Sequence, residues 1–169
     1  MAKTKRITYM AFLLCTSLVI HYFESLIPPV IPVAGVKMGL ANCITLITLF
    51  VFGRKEASFI LFLRIIMASL FFGGGIQFLY SLAGGILSFA VLCLMYKKIK
   101  ALYVLSAFSA VFHNVGQVAV AVFITKVPFL WWYLFPLTAA AIISGAFTGT
   151  VSAFILKNKS IFKFERITK

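Results

Sequence analysis

Residues 129–156 read FLWWYLFPLTAAAIISGAFTGTVSAFIL and contain no charged side chain. Such a stretch is typical of a helix that crosses a bilayer, whose apolar core is about 30 Å thick and requires roughly 20 apolar residues. Small residues recur in it at every fourth position, as Ala141, Gly145, Gly149 and Ala153. Because helix association in lipid relies on the close approach that small residues permit, this row predicts a helix-packing face.

The chain as a whole has the composition of a membrane protein. Of its 169 residues, 63% are hydrophobic and 11% are charged, and the mean hydropathy is +1.10. A soluble domain has about 25% charged residues, and a soluble fold of this size has too small an interior to bury so many apolar side chains. We therefore predict an all-α membrane protein that forms a single integral membrane domain over residues 1–169.

Working outward from the last stretch, the sequence divides into six apolar segments separated by turn residues. These predicted spans cover about residues 7–27, 38–52, 57–72, 76–96, 101–125 and 129–156. The second and third spans are short, so we expect their ends to lie within protein or at the membrane interface. The sequence thus predicts a bundle of six transmembrane helices.

The basic residues are distributed unevenly over the predicted loops. Thirteen of the 16 Lys and Arg residues lie in the N-terminus, the second loop, the fourth loop and the tail. The alternate loops contain only Lys37 and Lys126, and Arg64 lies inside a span. Because cytoplasmic loops carry the excess of Lys and Arg, we predict a multi-pass protein of the cell membrane with both termini cytoplasmic. The net charge of +13 then faces anionic lipid and not nucleic acid.

The composition also argues against several kinds of chemistry. The chain has three Glu residues and no Asp, whereas many prenyl- and phosphoryl-transfer sites hold Mg²⁺ through carboxylates. It has no G-x-x-x-x-G-K-[ST] loop for nucleotide phosphates, and its three cysteines show no C-x-x-C spacing. We therefore expect no enzyme activity, no metal and no cofactor.

Polar side chains within and beside the spans mark a candidate substrate pocket, because such groups in a membrane usually face a cavity or a partner. They are Arg64, His113, Asn114 and Gln117 near mid-membrane, and Glu24, Lys37, Asn42 and Gln77 nearer the predicted outer surface. The set descends from the outer face to the centre and stops there, which favours an outward-facing pocket over a channel. Interhelical hydrogen bonds, such as Arg64 with Glu24 or His113 with Asn42, are the alternative interpretation.

Several motifs are more specific than these patterns. They are PVIPVAGVKMGLAN at residues 29–42, FG at 52–53, GGG at 73–75, SLAGGILS at 81–88, HNVGQ at 113–117 and GAFTG at 145–149. Together they resemble the family called Gx transporters, whose members are often labelled heptaprenyl diphosphate synthase component I. The resemblance extends from about Ala11 to Leu156.

The transporter label implies kinship with the substrate-binding S components of energy-coupling-factor importers. Those are six-helix proteins with an outward pocket capped by the first loop, and they use ATPases in trans through a shared transmembrane coupling subunit. In that group an Ala-x-x-x-Ala element of the first helix docks the coupling subunit. The matching residues here are Ala11 and Cys15; from their spacing alone, packing within the bundle is the default interpretation and docking is the alternative. Residues 28–37, which end at Lys37, would form the gate.

The resemblance therefore implies a substrate-capture subunit for an external micronutrient or cofactor precursor. Two alternatives remain. One is a non-catalytic accessory membrane subunit of isoprenoid or quinone synthesis, and the other is a small ion-coupled transporter in which Glu24 is the coupling carboxylate.

The predicted orientation can be tested by labelling single-cysteine variants, made in a cysteine-free background, with a membrane-impermeant maleimide. Lys126→Cys should react in intact cells because the fifth loop is predicted to be outside. Lys98→Cys should react only after permeabilisation. Reaction of Lys98→Cys in intact cells would contradict the orientation.

Overall fold

A computed structural model describes residues 3–26, 40–72 and 74–158, and within them all regular structure is helical. The helices are α1 (Lys3–Leu26), α2 (Asn42–Val51), α3 (Arg54–Phe72), α4 (Gly75–Met95), α5 (Leu102–Thr125) and α6 (Leu134–Lys157). A short 3-10 helix, Pro128–Tyr133, precedes α6, so the predicted last span is divided in two. The prediction of an all-α fold is confirmed.

Four helical segments among the described residues are long and apolar enough to cross a membrane, which identifies a multi-pass membrane protein. They are Thr4–Leu26, Gly75–Met95, Leu102–Thr125 and Pro128–Lys157. The helix α3 has 19 residues but begins with three charged side chains. The helix α2 has only ten residues and is about 15 Å long, half the apolar thickness of a bilayer. Six crossings therefore remain a prediction.

The helices α4, α5 and α6 pack most closely, with α5 between the other two. On α6, a Cβ added at Gly145 would lie 2.6 Å from the Cα of Ala107, and one added at Gly149 would lie 2.5 Å from the Cα of Tyr103. Both glycines therefore face the α5 backbone directly. In the same row Ala141 is buried and Ala153 is half-buried. The missing side chains allow a backbone approach that any larger residue would prevent.

The short helix α2 lies inside the bundle. All residues from Cys43 to Leu49 are buried, and α2 contacts α1, α3, α5 and α6. It reverses into α3 through a sharp turn at Gly53, where φ is 103°, a conformation that side chains with a Cβ rarely adopt. The turn makes α2 and α3 antiparallel neighbours.

Contacts near the helix termini show which ends lie together. Arg6 of α1 pairs with Glu56 of α3, and the Arg54 guanidinium lies 5.0 Å from the centre of the Tyr96 ring, just after α4. We call this the basic end of the bundle; its cations include Arg6, Arg54, Lys55, Lys97 and Lys157. At the opposite end the rings of Tyr22 and Phe72 are 5.3 Å apart. We call that the aromatic end; it also contains Trp131 and Trp132.

Gly149→Ala should destabilise the protein by about 1–3 kcal/mol, because the new methyl group would overlap the α5 backbone. Gly75→Ala is the matched control, since a Cβ there meets no atom within 4 Å. Thermal unfolding in mild detergent measures both. Equal unfolding temperatures for the two variants would contradict close packing of α5 on α6.

Candidate functional site

A small polar cavity lies between two groups of helices in the half of the bundle nearer the aromatic end. Its volume is about 30 Å³, enough for about two water molecules. The helices α1 to α3 and the residue before α2 contribute His21, Glu24, Ala41, Asn42, Arg64, Ile65 and Ala68 to its lining. The helices α4 and α5 contribute Ser81, His113 and Gln117. The cavity thus lies between the α1–α3 group and the tightly packed α4–α6 group, which also contact each other directly through α3 with α4 and α2 with α6.

Arg64 is the cation of this cavity. It projects from the middle of α3, and only 5% of its surface is exposed. One terminal nitrogen, NH2, donates a hydrogen bond of 2.9 Å to Oδ1 of Asn42. The other, NH1, has no hydrogen-bond partner among the described residues. The Glu24 carboxylate, of opposite charge, lines the same cavity.

The depth of Asn42 differs from the prediction, which placed it near the outer surface. Asn42 is the first residue of α2 and lies beside Arg64, ten residues along α3 from its start at Arg54. Both helices rise about 15 Å from the turn at Gly53 to this point. The chain therefore enters α2 half-way along the bundle. A hydropathy pattern cannot distinguish such a half-length helix from a short span.

His113 and Gln117 form the opposite wall, one turn apart on α5. Both are buried, and His113 Nδ1 and Gln117 Oε1 have no hydrogen-bond partner in the described parts of the chain. Two glycines allow this arrangement. A Cβ at Gly84 of α4 would lie 2.9 Å from His113 Nδ1, and one at Gly116 would lie 2.7 Å from the carbonyl oxygen of Ala83. The His113 imidazole therefore lies directly against the α4 backbone.

Other candidate residues are not brought to the cavity. Asn114 turns towards α6, where its Nδ2 donates a hydrogen bond of 3.0 Å to the Leu137 carbonyl oxygen. Gln77 is half-buried near the start of α4 and is not part of the lining. Ala11 and Cys15 are exposed on α1. Lys37 and the predicted gate, residues 28–37, lie outside the described residues.

The polar pattern of the sequence did not indicate several residues that line the cavity. Ala68 is one helical turn beyond Arg64, and Ala41 precedes Asn42, so both small side chains leave space beside a polar group. In the sequence, Ser81 stands out only as the first residue of the motif SLAGGILS. A search for small residues one helical turn from each polar residue of the spans would have found Ala68, one turn from Arg64, and Ser81, one turn from Gln77.

The wall atoms define what the site can bind. They include a guanidinium, two amides, two imidazoles, a hydroxyl and a carboxylate, which together can hydrogen-bond a small polar molecule from both sides. The described residues contain no group of three or more His, Cys, Asp or Glu side chains able to hold a metal ion. The arrangement offers non-covalent recognition of a ligand.

Two neighbouring positions on α5 should respond differently to truncation. Asn114→Ala should lower the free energy of unfolding by about 0.5–1.5 kcal/mol, because it removes a buried hydrogen bond between α5 and the Leu137 carbonyl oxygen of α6. Gln117→Ala should change stability less and reduce retention of a bound ligand more, because Gln117 Oε1 has no protein partner among the described residues to lose. Thermal unfolding and ligand occupancy, measured on both variants, would contradict the assignment if the two effects were reversed.

Comparison with known proteins gives one match. Residues 13–155 match the family described as heptaprenyl diphosphate synthase component I. No curated protein and no solved structure matches the chain. The match covers most of the chain, including all of α2 to α5 and most of α1 and α6. The chain therefore belongs to the heptaprenyl diphosphate synthase component I family.

Proposed function

We propose that this protein is the substrate-capture subunit of an energy-coupling-factor type importer. Its cavity would bind an external micronutrient or cofactor precursor without any covalent step. A shared transmembrane coupling subunit and its ATPases would then energise the transfer. The observation that carries the proposal is the set of buried polar atoms without partners on both walls of one cavity.

Buried polar atoms without hydrogen-bond partners destabilise the fold unless a ligand forms hydrogen bonds with them. They are Arg64 NH1 and Asn42 Nδ2 on one wall, and Gln117 Oε1 on the other. A buried polar group without a partner costs about 1–3 kcal/mol, and more when it is charged. A bundle selected only for stability would satisfy or replace these groups. A polar ligand that accepts hydrogen bonds from one wall and forms hydrogen bonds with the other would offset this loss of stability when it binds.

The position of the cavity supports capture from outside. The cavity lies away from the basic end, and the excess of Lys and Arg at that end predicts that it faces the cytoplasm. The six predicted spans then form one integral membrane domain with both termini inside the cell. The cavity of about 30 Å³ is far smaller than the roughly 300–1,000 Å³ of ordinary ligand pockets. Entry of a vitamin-sized molecule therefore requires the two helix groups to separate or the gate, residues 28–37, to move.

The S-component resemblance implies a partner surface on α1. Ala11 and Cys15 are both exposed and lie four residues apart, so they share one face of that helix. We propose that this face docks the coupling subunit, because small side chains let a second helix approach closely.

The family description favours one other function. Its words name a component of a synthase, which suggests that a membrane subunit of this kind assembles with a soluble prenyltransferase. In that case the protein would be a non-catalytic accessory subunit of isoprenoid or quinone synthesis. Stable association with a prenyltransferase would distinguish this function from capture.

Mass spectrometry of small molecules released from the purified protein tests the capture function. Wild-type protein in mild detergent should retain one compound at about one molecule per chain, and Arg64→Ala should lose it. Arg54→Gln is the matched control, because it removes a cation from the basic end and leaves the cavity intact. Retention of the compound by Arg64→Ala would contradict the site. Empty wild-type protein that co-purifies with a prenyltransferase would support the accessory function instead.

A further inference from the structure

The cavity is lined by the N-terminus of α2 as well as by polar side chains. Ala41 and Asn42 both line the cavity, and α2 runs from there towards the basic end, so its N-terminus faces the cavity. The first N–H groups of a helix and its macrodipole attract negative charge. The residue before α2 is Ala41, and no described side chain caps this helix. The amides of Cys43 and Ile44 already donate to the carbonyl oxygens of Leu40 and Ala41, so α2 attracts an anion through its dipole and not through these N–H groups.

Arg64 is an independent indication of the same anion. Only 5% of Arg64 is exposed, and the residue lines the cavity. Its NH1 nitrogen has no hydrogen-bond partner among the described residues. Because Asn42 Oδ1 accepts from NH2, it holds Arg64 beside the N-terminus of α2. The amide nitrogen Nδ2 of Asn42 also has no partner within the described parts. Two side-chain donors and a helix N-terminus therefore remain for one acceptor group.

Charge and donor geometry restrict this acceptor to a singly charged, planar group. Carboxylates match the fork of donors that a guanidinium presents. Glu24 lines the same cavity and would repel a second negative charge. A diphosphate fits neither restriction.

We propose that the ligand of this cavity carries a carboxylate, bound between Arg64, the Asn42 amide and the N-terminus of α2. The proposal rests on the proposed function only in that a ligand enters this cavity. It narrows the substrate class to monocarboxylates. The rest of the ligand would then contact Glu24, His113 and Gln117.

Acetate is a probe that carries this group alone. Thermal unfolding of the purified protein, followed at constant ionic strength with sodium chloride as the balancing salt, should show a saturable rise with sodium acetate. The expected rise is roughly 3–6 °C at a tenfold excess over the dissociation constant. Acetamide, which is neutral and of similar shape, should have no effect, and phosphate should act no more strongly than chloride.

Two variants locate the binding. Arg64→Lys keeps the charge but loses the fork, and Asn42→Ala loses the amide donor; each should abolish most of the acetate response. Arg54→Gln, at the basic end, should respond like the wild type. The proposal is overturned if acetate and acetamide act alike, or if both cavity variants respond normally. If one variant does not fold, the other variant and the wild-type comparison of acetate with acetamide still decide the outcome.

The acetate experiment distinguishes failure of the proposed carboxylate site from failure of the proposed capture function. If acetate binds at Arg64 but the purified protein neither retains nor imports any compound, the carboxylate site stands and the capture function fails. If the protein retains a compound that has no carboxylate and acetate has no effect, the capture function stands and the carboxylate site fails.

Discussion

The hydrogen bond from Arg64 to Asn42 is the interaction on which the rest of the site depends. A buried charge is costly unless it is paired and hydrogen-bonded, and Arg64 is only 5% exposed, so it requires solvation by protein or ligand. Asn42 supplies one acceptor at 2.9 Å, and Glu24 supplies an opposite charge in the same cavity. Asn42 can do so only because α2 begins half-way along the bundle. The short length of α2 therefore allows the cavity to contain a buried, hydrogen-bonded cation.

The two helix groups around the cavity are built differently. The α4–α6 group is joined by glycines that bring backbones together, as Gly84 and Gly116 do beside His113 and as Gly149 does on α6. The α1–α3 group packs more through side chains, such as the buried cluster around Leu13, Ile47 and Ile60. A wall held by backbone contact keeps His113 and Gln117 in place. Movement needed to admit a ligand is therefore expected in the α1–α3 group.

Much of the helical architecture could be predicted from the sequence. The predicted span 101–125 matches α5 (Leu102–Thr125), and 76–96 matches α4 (Gly75–Met95), because turn residues and charges end each apolar stretch. The span 38–52 was less accurate, since apolar residues continue through a helix that is buried in protein and not in lipid. Hydropathy measures the lack of polarity, and it does not show which kind of apolar surroundings a segment has.

The candidate site was predicted in its chemistry more than in its geometry. Arg64, His113 and Gln117 were recognised as polar groups in apolar spans, which is a property of the sequence alone. The direction of Asn114 could not be read in this way, because one residue along α5 turns a side chain by about 100° and takes it from the cavity to α6. The Arg64–Asn42 pair likewise depends on how two helices align about their turn.

An experimental structure of the protein purified with its bound ligand, at a resolution that shows side chains, tests the central claim most directly. We predict density for one small molecule between the two helix groups, with a carboxylate at Arg64 and Asn42 and further contacts to His113 or Gln117. The account would be contradicted by a cavity that contains only water, in which protein groups accept all the hydrogen bonds of Arg64 and the bound molecule lies elsewhere.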